Sequence, residues 1–229
     1  MTDTTLRILT DLRGTMQRER IAFGNRVGAL ERADDTGDAE SAALIARWYA
    51  RFLDVEKAAD EEIREAVKEH PVYEYICRVK GIGPLLAAQL VAQIDISRAP
   101  TVSALWRYAG YAVIDGERER PRKGEKLHYN AQVKKVCYLI ASSFLKSGSP
   151  YRAVYDSSRA YYDAQRPEWT KARRHMAAMR RMIKHFLAHL WQVWREVEGL
   201  PVRALYVEER LGHSSITLPA EYGWYGKVE

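Results

Sequence analysis

Two glycines on either side of one apolar residue, Gly81-Ile82-Gly83, have the types and spacing that best fit a chemical role. Glycine reaches backbone angles that are closed to other residues, so both glycines allow a tight turn and close approach to a ligand. Pro84 suits the first turn of a following helix, because its missing N–H is not needed there. The free amides of that turn and the helix dipole favour an anion, and Lys80 adds a positive charge. The stretch predicts a helix-hairpin-helix that contacts nucleic-acid phosphate.

The residues around the two glycines distinguish such a hairpin from a plain turn between helices. A lone Gly-X-Gly often does no more than turn a corner. Here Ile76 and Val79 supply apolar positions before the turn, and Ile82 is expected to point inward. Ala87 is small enough for two helices to cross closely. These residues together favour the helix-hairpin-helix.

Charge is distributed unevenly along the 229 residues. Residues 1–70 hold 11 Lys and Arg against 15 Asp and Glu, a net charge of −4. Residues 71–197 hold 22 against 10, a net charge of +12, and the last 32 residues carry −2. A basic middle section between acidic ends is the footprint expected of a phosphate-binding protein. The same charges could also belong to a solvated face.

Apolar residues at helical spacing predict a mainly α fold. Residues 5–32 and 39–69 form two long helices joined by a polar turn, which makes an antiparallel helical hairpin, a coiled coil, of residues 1–70. The second helix carries a seam close to a heptad repeat: Leu44, Trp48, Phe52, Val55, Ala59, Ile63 and Val67. The seam serves either packing within the chain or dimerisation. We favour a homodimer, because a small domain leaves one face of so long a hairpin uncovered.

The rest of the chain predicts a compact helical domain and a tail. The domain spans residues 71–198 and contains the helix-hairpin-helix. Residues 112–127 lose helical periodicity and are expected to form an exposed insertion, irregular or a short β-hairpin. Thr170 can cap a long final helix, residues 171–197. Residues 199–229 are rich in Gly, Pro and Tyr and predict an extended, partly ordered tail.

Basic side chains extend the predicted phosphate contacts beyond the hairpin. One face of the final helix is rich in arginine, and Tyr151, Tyr155, Tyr161 and Tyr162 precede it as rings on which bases could stack. A solvated face over an acidic neighbour is the alternative. The predicted nucleic-acid-binding residues are Lys80, Gly81, Ile82, Gly83, Arg118, Arg120, Arg122, Lys123, Lys134, Lys135, Arg173, Arg174, Arg180, Arg181 and Lys184.

Other groups capable of chemistry lack the partners that they would need. Tyrosine can attack phosphorus, and Tyr108, Tyr111 and Tyr129 lie in the basic section, but a tyrosine recombinase also needs Arg and His, and only His128 is near in sequence. His185 and His189 could share a metal ion, yet no third ligand is evident nearby. We predict no catalytic residue, no metal site and no cofactor.

Cysteine use and hydropathy bear on the compartment. Cys77 and Cys137 lie in helical apolar patterns without metal-type spacing, which indicates buried thiols in a reducing compartment. Neither a signal peptide nor an apolar run long enough to cross a membrane is evident. We expect an intracellular, cytoplasmic protein without a membrane partner, and association with the nucleoid stays open.

The order of these pieces resembles the C-terminal "Tnp" half of the DEDD-type insertion-sequence transposases, the IS-one-ten type. The matching motifs are Gly81-Ile82-Gly83-Pro84 with Ala87, then Tyr108-Ala109-Gly110. Asn130 with Val133-Lys134 stands where the family tends to have Asn-x-x-Leu-Arg, and Tyr155 and the helix from Ala172 to Arg181 also fit. The resemblance covers roughly residues 5–197, and it implies DNA as the ligand.

The departures from the family bear on catalysis. The family's RuvC-like nuclease domain has no counterpart in the resemblance, so its four-carboxylate metal site is not expected here. The family's catalytic serine follows the Tyr-Ala-Gly segment, where this chain has Ile114-Asp115-Gly116-Glu117-Arg118. Neither Ser nor Thr occurs between Ser103 and Ser142. A serine nucleophile therefore does not carry over.

These observations leave three classes of function. The leading hypothesis is a non-catalytic DNA-binding protein that holds the phosphate backbone and associates with itself. An active transposase or recombinase with a displaced nucleophile is the second. A protein-interaction module that kept the fold is the third. RNA stays open as the ligand, because backbone amides and arginines do not distinguish it from DNA without a 2′-hydroxyl contact.

Overall fold

Helices form most of the described chain, and the prediction of a mainly α fold is confirmed. The computed structural model describes residues 3–32, 39–114, 117–118, 123–124, 126–202 and 218–225. The chain divides into two compact units, residues 1–69 and residues 70–229. Within the described residues, no helix is both long enough and apolar enough to cross a bilayer.

The first unit is a pair of antiparallel helices, α1 (Asp3–Arg32) and α2 (Ala39–Lys68). Arg13, in the first half of α1, bonds Asp60 near the end of α2, with Nε 2.8 Å from Oδ1. The pairing of an early residue with a late one fixes the opposite directions of the two helices. The predicted helical hairpin is confirmed.

The predicted seam of α2 has a buried part and an exposed part. Ala59, Ile63 and Val67 are buried, whereas Leu44, Trp48 and Val55 are exposed. Phe52 lies between them and packs on Phe23, with ring centroids 5.3 Å apart. The buried carboxylate of Glu56 lies next to the seam and pairs with Arg13 at 2.9 Å and Arg20 at 2.6 Å. The contact between α1 and α2 therefore includes ion pairs as well as the apolar residues that the sequence pattern predicts.

The second unit contains six α-helices among its described residues. They are α3 (Tyr73–Arg78), α4 (Pro84–Val91), α5 (Val102–Tyr108), α6 (Ala131–Ser147), α7 (Arg152–Gln165) and α8 (Lys171–Val197), with 3₁₀ turns at Ile96–Arg98 and Pro219–Tyr222. The helix α8 packs against α5, α6 and α7, and α4 packs against α6.

The helix α8 supplies the centre of the core. Thr170 caps it by accepting the N–H of Arg173 at 3.2 Å, which confirms the predicted helix start. Trp191 is buried and donates its indole N–H to the carbonyl of Ala99 at 2.7 Å. Arg195, only 5% exposed, donates to the same carbonyl at 3.2 Å. These donors fix α8 against the segment that precedes α5.

The predicted insertion contains a short antiparallel pair of strands. The strands are β1 (Val113–Ile114) and β2 (Glu117–Arg118), with Val113 opposite Arg118. Residues 115–116, 119–122 and 125 lie outside the described residues. The pairing agrees with the loss of helical periodicity at this point.

Part of the predicted extended tail packs into the core, which corrects that prediction for residues 218–225. Residues 203–217 and 226–229 lie outside the described residues. Trp224 is fully buried, and its indole N–H donates to the hydroxyl of Tyr151 at 2.7 Å. Tyr222 is also buried, with its ring centroid 4.5 Å from that of Tyr151. A run without helical period gave no sign of this long-range aromatic contact.

Candidate nucleic-acid interface

The two short helices α3 and α4 join through a tight turn at residues 79–83. Val79, Ile82 and Ala87 are buried, and the N–H of Ile82 bonds the carbonyl of Val79 at 3.0 Å. Ile82 thus points inward, as the sequence predicts. Gly83, the N-cap of α4, is exposed, so the N-terminus of α4 lies at the surface.

The two glycines of the turn have different roles. Gly81 has a φ of +102°, and a Cβ at this position would lie 2.6 Å from the hydroxyl of Ser147 on α6. Ser143, also on α6, donates its hydroxyl to the Gly81 carbonyl at 2.6 Å. Gly83 has a φ of −96°, and a Cβ there would meet no heavy atom within 4 Å. Gly81 therefore serves packing against α6, and Gly83 is the glycine that faces open space.

The start of α4 has the geometry of an anion site. Pro84 occupies its first turn, and no side chain caps the helix at Gly83. The first backbone N–H groups of a helix lack partners within it, and the helix dipole is positive at this end. Lys80 is exposed next to the turn. An oxyanion at this helix end would meet amide donors and a nearby ammonium group.

The segment Tyr108-Ala109-Gly110 is joined to the start of α6. Asn130 caps α6 through its Oδ1, which accepts the N–H of Gln132 at 2.9 Å, and its amide donates to the Tyr108 hydroxyl at 2.8 Å. That hydroxyl donates in turn to the carbonyl of Gln93 at 2.6 Å. Gly110 has a φ of +75°, and a Cβ there would lie 2.9 Å from the ring of Tyr129. Asn130 and Tyr108 thus connect the segment after α4 with α5 and with the start of α6.

Two comparisons with known proteins concern this arrangement. The family model described as "Transposase IS116/IS110/IS902 family" matches residues 73–156, from the start of α3 into α7. The chain is related to the insertion-sequence transposases. The mini-circle putative transposase for IS117 of Streptomyces coelicolor (strain ATCC BAA-471 / A3(2) / M145) is 29% identical over 184 residues, 78% of this chain and 40% of that relative. The chain thus spans less than half of that relative's length, and no solved structure matches the chain significantly.

The comparisons confirm the predicted resemblance to these transposases. The matched residues 73–156, called here the transposase segment, include the hairpin, the Tyr108-Ala109-Gly110 motif and Asn130. Asn130 at the start of α6 bonds Tyr108, and Ser143 of the same helix bonds the carbonyl of Gly81, so contacts with α6 connect all three motifs. The sequence order that carried the resemblance therefore corresponds to one connected part of the fold.

Two of the predicted binding residues of α8 face inward. The guanidinium of Arg180 donates to the carbonyls of Tyr111 at 2.5 Å and Ala112 at 2.8 Å. Lys184 places its ammonium 3.9 Å from the centroid of the Trp106 ring, and burial together with nearby Arg180 lowers the pKa of Lys184. Arg180 holds the segment after α5 against α8, and Lys184 packs on α5 itself, so neither is well placed for a phosphate.

The other three arginines predicted on α8 differ in their exposure. Arg174 pairs with Asp163 of α7 at 2.9 Å and is mostly covered. Arg173 and Arg181 are exposed, and their guanidinium carbons lie 4.2 Å from the Trp169 ring centroid and 5.9 Å from that of Tyr161. Arg173 and Arg181 therefore remain accessible to a ligand, and aromatic rings lie beside them.

The structure describes some of the predicted basic side chains of the insertion and both of those on α6. Arg120 and Arg122 lie outside the described residues, and Arg118 is described only as part of β2. Lys123 is exposed. On α6, Lys135 is exposed, whereas Lys134 is half-buried with its ammonium 4.0 Å from the Tyr129 ring centroid. The accessible predicted cations among the described side chains are Lys80, Lys123, Lys135, Arg173 and Arg181.

The groups considered for catalysis are engaged in packing. The hydroxyl of Tyr108 donates to the Gln93 carbonyl, and burial raises the pKa of Tyr111 far above its ordinary value. Among the described residues, no three His, Cys, Asp or Glu side chains are grouped to hold a metal ion. The ring of His189 bonds the Tyr151 hydroxyl at 2.7 Å through Nδ1. These side chains support the core of the second unit.

The two cysteines differ in their surroundings. Cys137 is fully buried on α6, and burial raises the pKa of its thiol to about 12. Cys77 on α3 is half-buried, and burial also raises its pKa. Because the thiolate is the reactive form, both thiols have low reactivity near neutral pH.

Proposed function

We propose that this protein binds DNA through the phosphate backbone, with the turn at residues 79–83 and the start of α4 as the central contact, and that it does so without cutting a strand itself. The observation that carries the proposal is Gly83, which is exposed at an uncapped helix N-terminus with open space in front of it. Backbone amides at such an end bind an oxyanion without reading base sequence.

The charge of the surface supports this proposal. Lys80 lies beside the turn, and Lys123, Lys135, Arg173 and Arg181 are exposed elsewhere in the same unit. Residues 71–197 carry a net charge of +12, which favours association with a polyanion and makes affinity fall as salt rises. The relation to transposases makes DNA the ligand to test first. With DNA as the ligand, we propose that the protein acts inside the cell, and association with the nucleoid stays open.

The non-catalytic part of the proposal rests on side chains. Ile114-Asp115-Gly116-Glu117-Arg118 replaces the serine setting of the resembled family, and the nearby tyrosine hydroxyl of Tyr108 is hydrogen-bonded to a backbone carbonyl. Duplex, nicked and branched DNA incubated with the protein and Mg²⁺ or Mn²⁺ should stay uncut and unjoined. A covalent adduct or a new strand end would contradict this part.

Replacing Gly83 with Asp should weaken DNA binding while the fold is retained. An aspartate at this N-cap would accept the free amides of α4 and stabilise the helix, so its carboxylate would occupy the place of the phosphate. We expect the Kd for a labelled duplex, measured by fluorescence anisotropy at low salt, to rise about tenfold. The difference in Kd between the wild type and Gly83→Asp should become smaller at higher salt, because ions screen the repulsion between the aspartate and the DNA phosphate.

Gly83→Asn is the matched control, since asparagine caps the same amides without a charge. Its Kd should lie between those of the wild type and Gly83→Asp. Thermal unfolding should show that both variants keep the midpoint of the wild type or exceed it. Equal DNA binding by Gly83→Asp and the wild type would contradict the proposed contact.

We also propose that the first unit forms a homodimer through the exposed apolar residues of its hairpin. Leu44, Trp48 and Val55 project from one side of α2 at heptad-like spacing, and Trp48 is 41% exposed. A parallel or antiparallel second copy of α2 presents the same apolar spacing, so the surface can pair with itself. Burial of such residues is the usual driving force of helix association.

Trp48→Glu should shift the protein toward monomer. Placing a charge in a buried apolar contact is expected to raise the dimer dissociation constant at least about tenfold, measured by sedimentation equilibrium. Arg47→Glu, an exposed change one residue away, should leave the dimer intact. A wild type that sediments as a monomer at all accessible concentrations would contradict the homodimer.

A further inference from the structure

A row of three aromatic rings lies at the turn between α7 and α8. The rings of Tyr161 and Tyr162 have centroids 5.4 Å apart, and those of Tyr162 and Trp169 are stacked with centroids 5.6 Å apart. Tyr161 is 53% exposed, and Tyr162 and Trp169 are half-buried. The row therefore lies at the surface and outside the core of the second unit.

The structure divides the four tyrosines of this region into two pairs. Tyr151 is fully buried, and its hydroxyl bonds the ring of His189. Tyr155 bonds His175 of α8 in the same way, at 2.7 Å. These two tyrosines join α7 to α8. Tyr161 has a ring that is more than half accessible, so it can take part in contacts outside the chain.

Positive side chains accompany the row. The guanidinium carbon of Arg173 lies 4.2 Å from the Trp169 ring centroid, that of Arg166 lies 5.8 Å from it, and Arg181 approaches Tyr161 at 5.9 Å. All three arginines are exposed. Arginine held over a ring offers both a charge for phosphate and a planar group on which a base can stack.

The carboxylates near the row are neutralised by neighbouring arginines. Asp163 pairs with Arg159 at 3.0 Å and with Arg174 at 2.9 Å. Glu168 lies 3.9 Å from Arg166. The local field at the row therefore stays positive although two acidic residues are close by.

We propose that Tyr161, Tyr162 and Trp169, with Arg173 and Arg181, form a site for the unpaired bases of a single strand of nucleic acid. One exposed ring and two half-buried rings in series, with arginines beside them, give an unpaired base a surface to stack on, whereas a duplex keeps its bases inside. The same stacking chemistry accepts the bases of DNA and of RNA, so the ligand is single-stranded DNA or single-stranded RNA. The inference rests on the proposed nucleic-acid binding and deepens it, and it uses residues other than those at the start of α4.

The test compares labelled oligothymidylate, oligouridylate, an abasic strand of equal length and a blunt duplex by fluorescence anisotropy. The variant is Tyr161→Ala with Trp169→Ala, and we expect it to bind oligothymidylate about tenfold more weakly than the wild type does. Its affinity for the duplex and for the abasic strand should change less than about twofold, because neither presents a base to stack on. Stronger binding of oligouridylate than of oligothymidylate would identify RNA as the source.

Two controls test whether the effect depends on the aromatic rings of this row. Trp169→Phe keeps a ring at the centre of the row and should retain most of the affinity for oligothymidylate. Tyr138 of α6 is 47% exposed and lies outside the row. Tyr138→Ala should leave the affinity for oligothymidylate unchanged. Thermal unfolding of each variant shows whether the fold is kept.

The outcomes separate this inference from the proposed duplex contact. Equal affinity of the wild type for oligothymidylate and the abasic strand would overturn the base-stacking site, whatever the duplex does. Ring-dependent binding of a single strand with Gly83→Asp unchanged toward duplex would overturn the α4 contact and leave the stacking site standing. Binding of neither would overturn both.

Discussion

Gly81→Ala is expected to destabilise the second unit by about 2–4 kcal/mol, whereas Gly83→Ala should change its stability by less than about 1 kcal/mol. Gly81 has a φ of +102°, where a side chain is strained, and a Cβ would lie 2.6 Å from the Ser147 hydroxyl and 3.2 Å from the Phe144 ring. Phe144 is fully buried and cannot move without disturbing its neighbours. Gly83 has neither constraint.

Urea unfolding followed by circular dichroism measures both changes. The two substitutions add the same methyl group two residues apart, so each serves as the control of the other. At a temperature where both variants are folded, Gly81→Ala should retain DNA binding better than Gly83→Asp does. Equal stability of Gly81→Ala and Gly83→Ala would show that the turn does not pack on α6 as described.

Trp224→Ala should lower the free energy of unfolding of the second unit by about 3–5 kcal/mol. The indole is fully buried, stacks on Phe186 with ring centroids 5.7 Å apart, and donates to the Tyr151 hydroxyl. Removing the indole leaves a cavity almost as large as the Trp224 side chain. It also takes one hydrogen-bond partner from the Tyr151 hydroxyl. Both effects destabilise the folded state.

Tyr225→Ala provides the neighbouring control. Tyr225 is 41% exposed, and its hydroxyl bonds the exposed Glu196 at 2.6 Å. Its loss should cost less than about 1 kcal/mol, because water can replace the hydrogen bond. Chemical denaturation with tryptophan fluorescence distinguishes the two variants. A Trp224→Ala protein as stable as Tyr225→Ala would mean that residues 218–225 do not complete the core.

The features predicted correctly from the sequence are those set by near neighbours in the chain. Apolar spacing located the long helices, and Thr170 marks the start of α8 because a hydroxyl can cap a helix from the adjacent residue. Gly81-Ile82-Gly83 indicated a tight turn, since only local backbone angles were needed. Which glycine faces solvent depends on contacts of Gly81 with α6, where the bonded residue, Ser143, lies 62 residues further along the chain.

The roles of the charged and aromatic residues depended on distant contacts and could not be predicted. Arg180 was predicted to bind phosphate, but its carbonyl partners Tyr111 and Ala112 lie 69 and 68 residues away. Arg173, on the same helix, is exposed. Helical periodicity shows that Arg173 and Arg180 both lie on α8. It does not show which of them meets the backbone carbonyls of the segment after α5. Trp224 became part of the core through Tyr151, 73 residues earlier.

The transposase segment depends for its folding on a helix that it does not contain. The donors of Trp191 and Arg195 on α8 satisfy backbone carbonyls that lie 92 to 99 residues earlier, within the segment, and the indole of Trp106 bonds back to α8. The limits of the family match, residues 73 and 156, are therefore not the limits of a cooperatively unfolding unit. An evolutionary exchange of residues 73–156 between proteins would succeed only if the recipient supplied an equivalent of α8, with hydrogen-bond donors at matching positions.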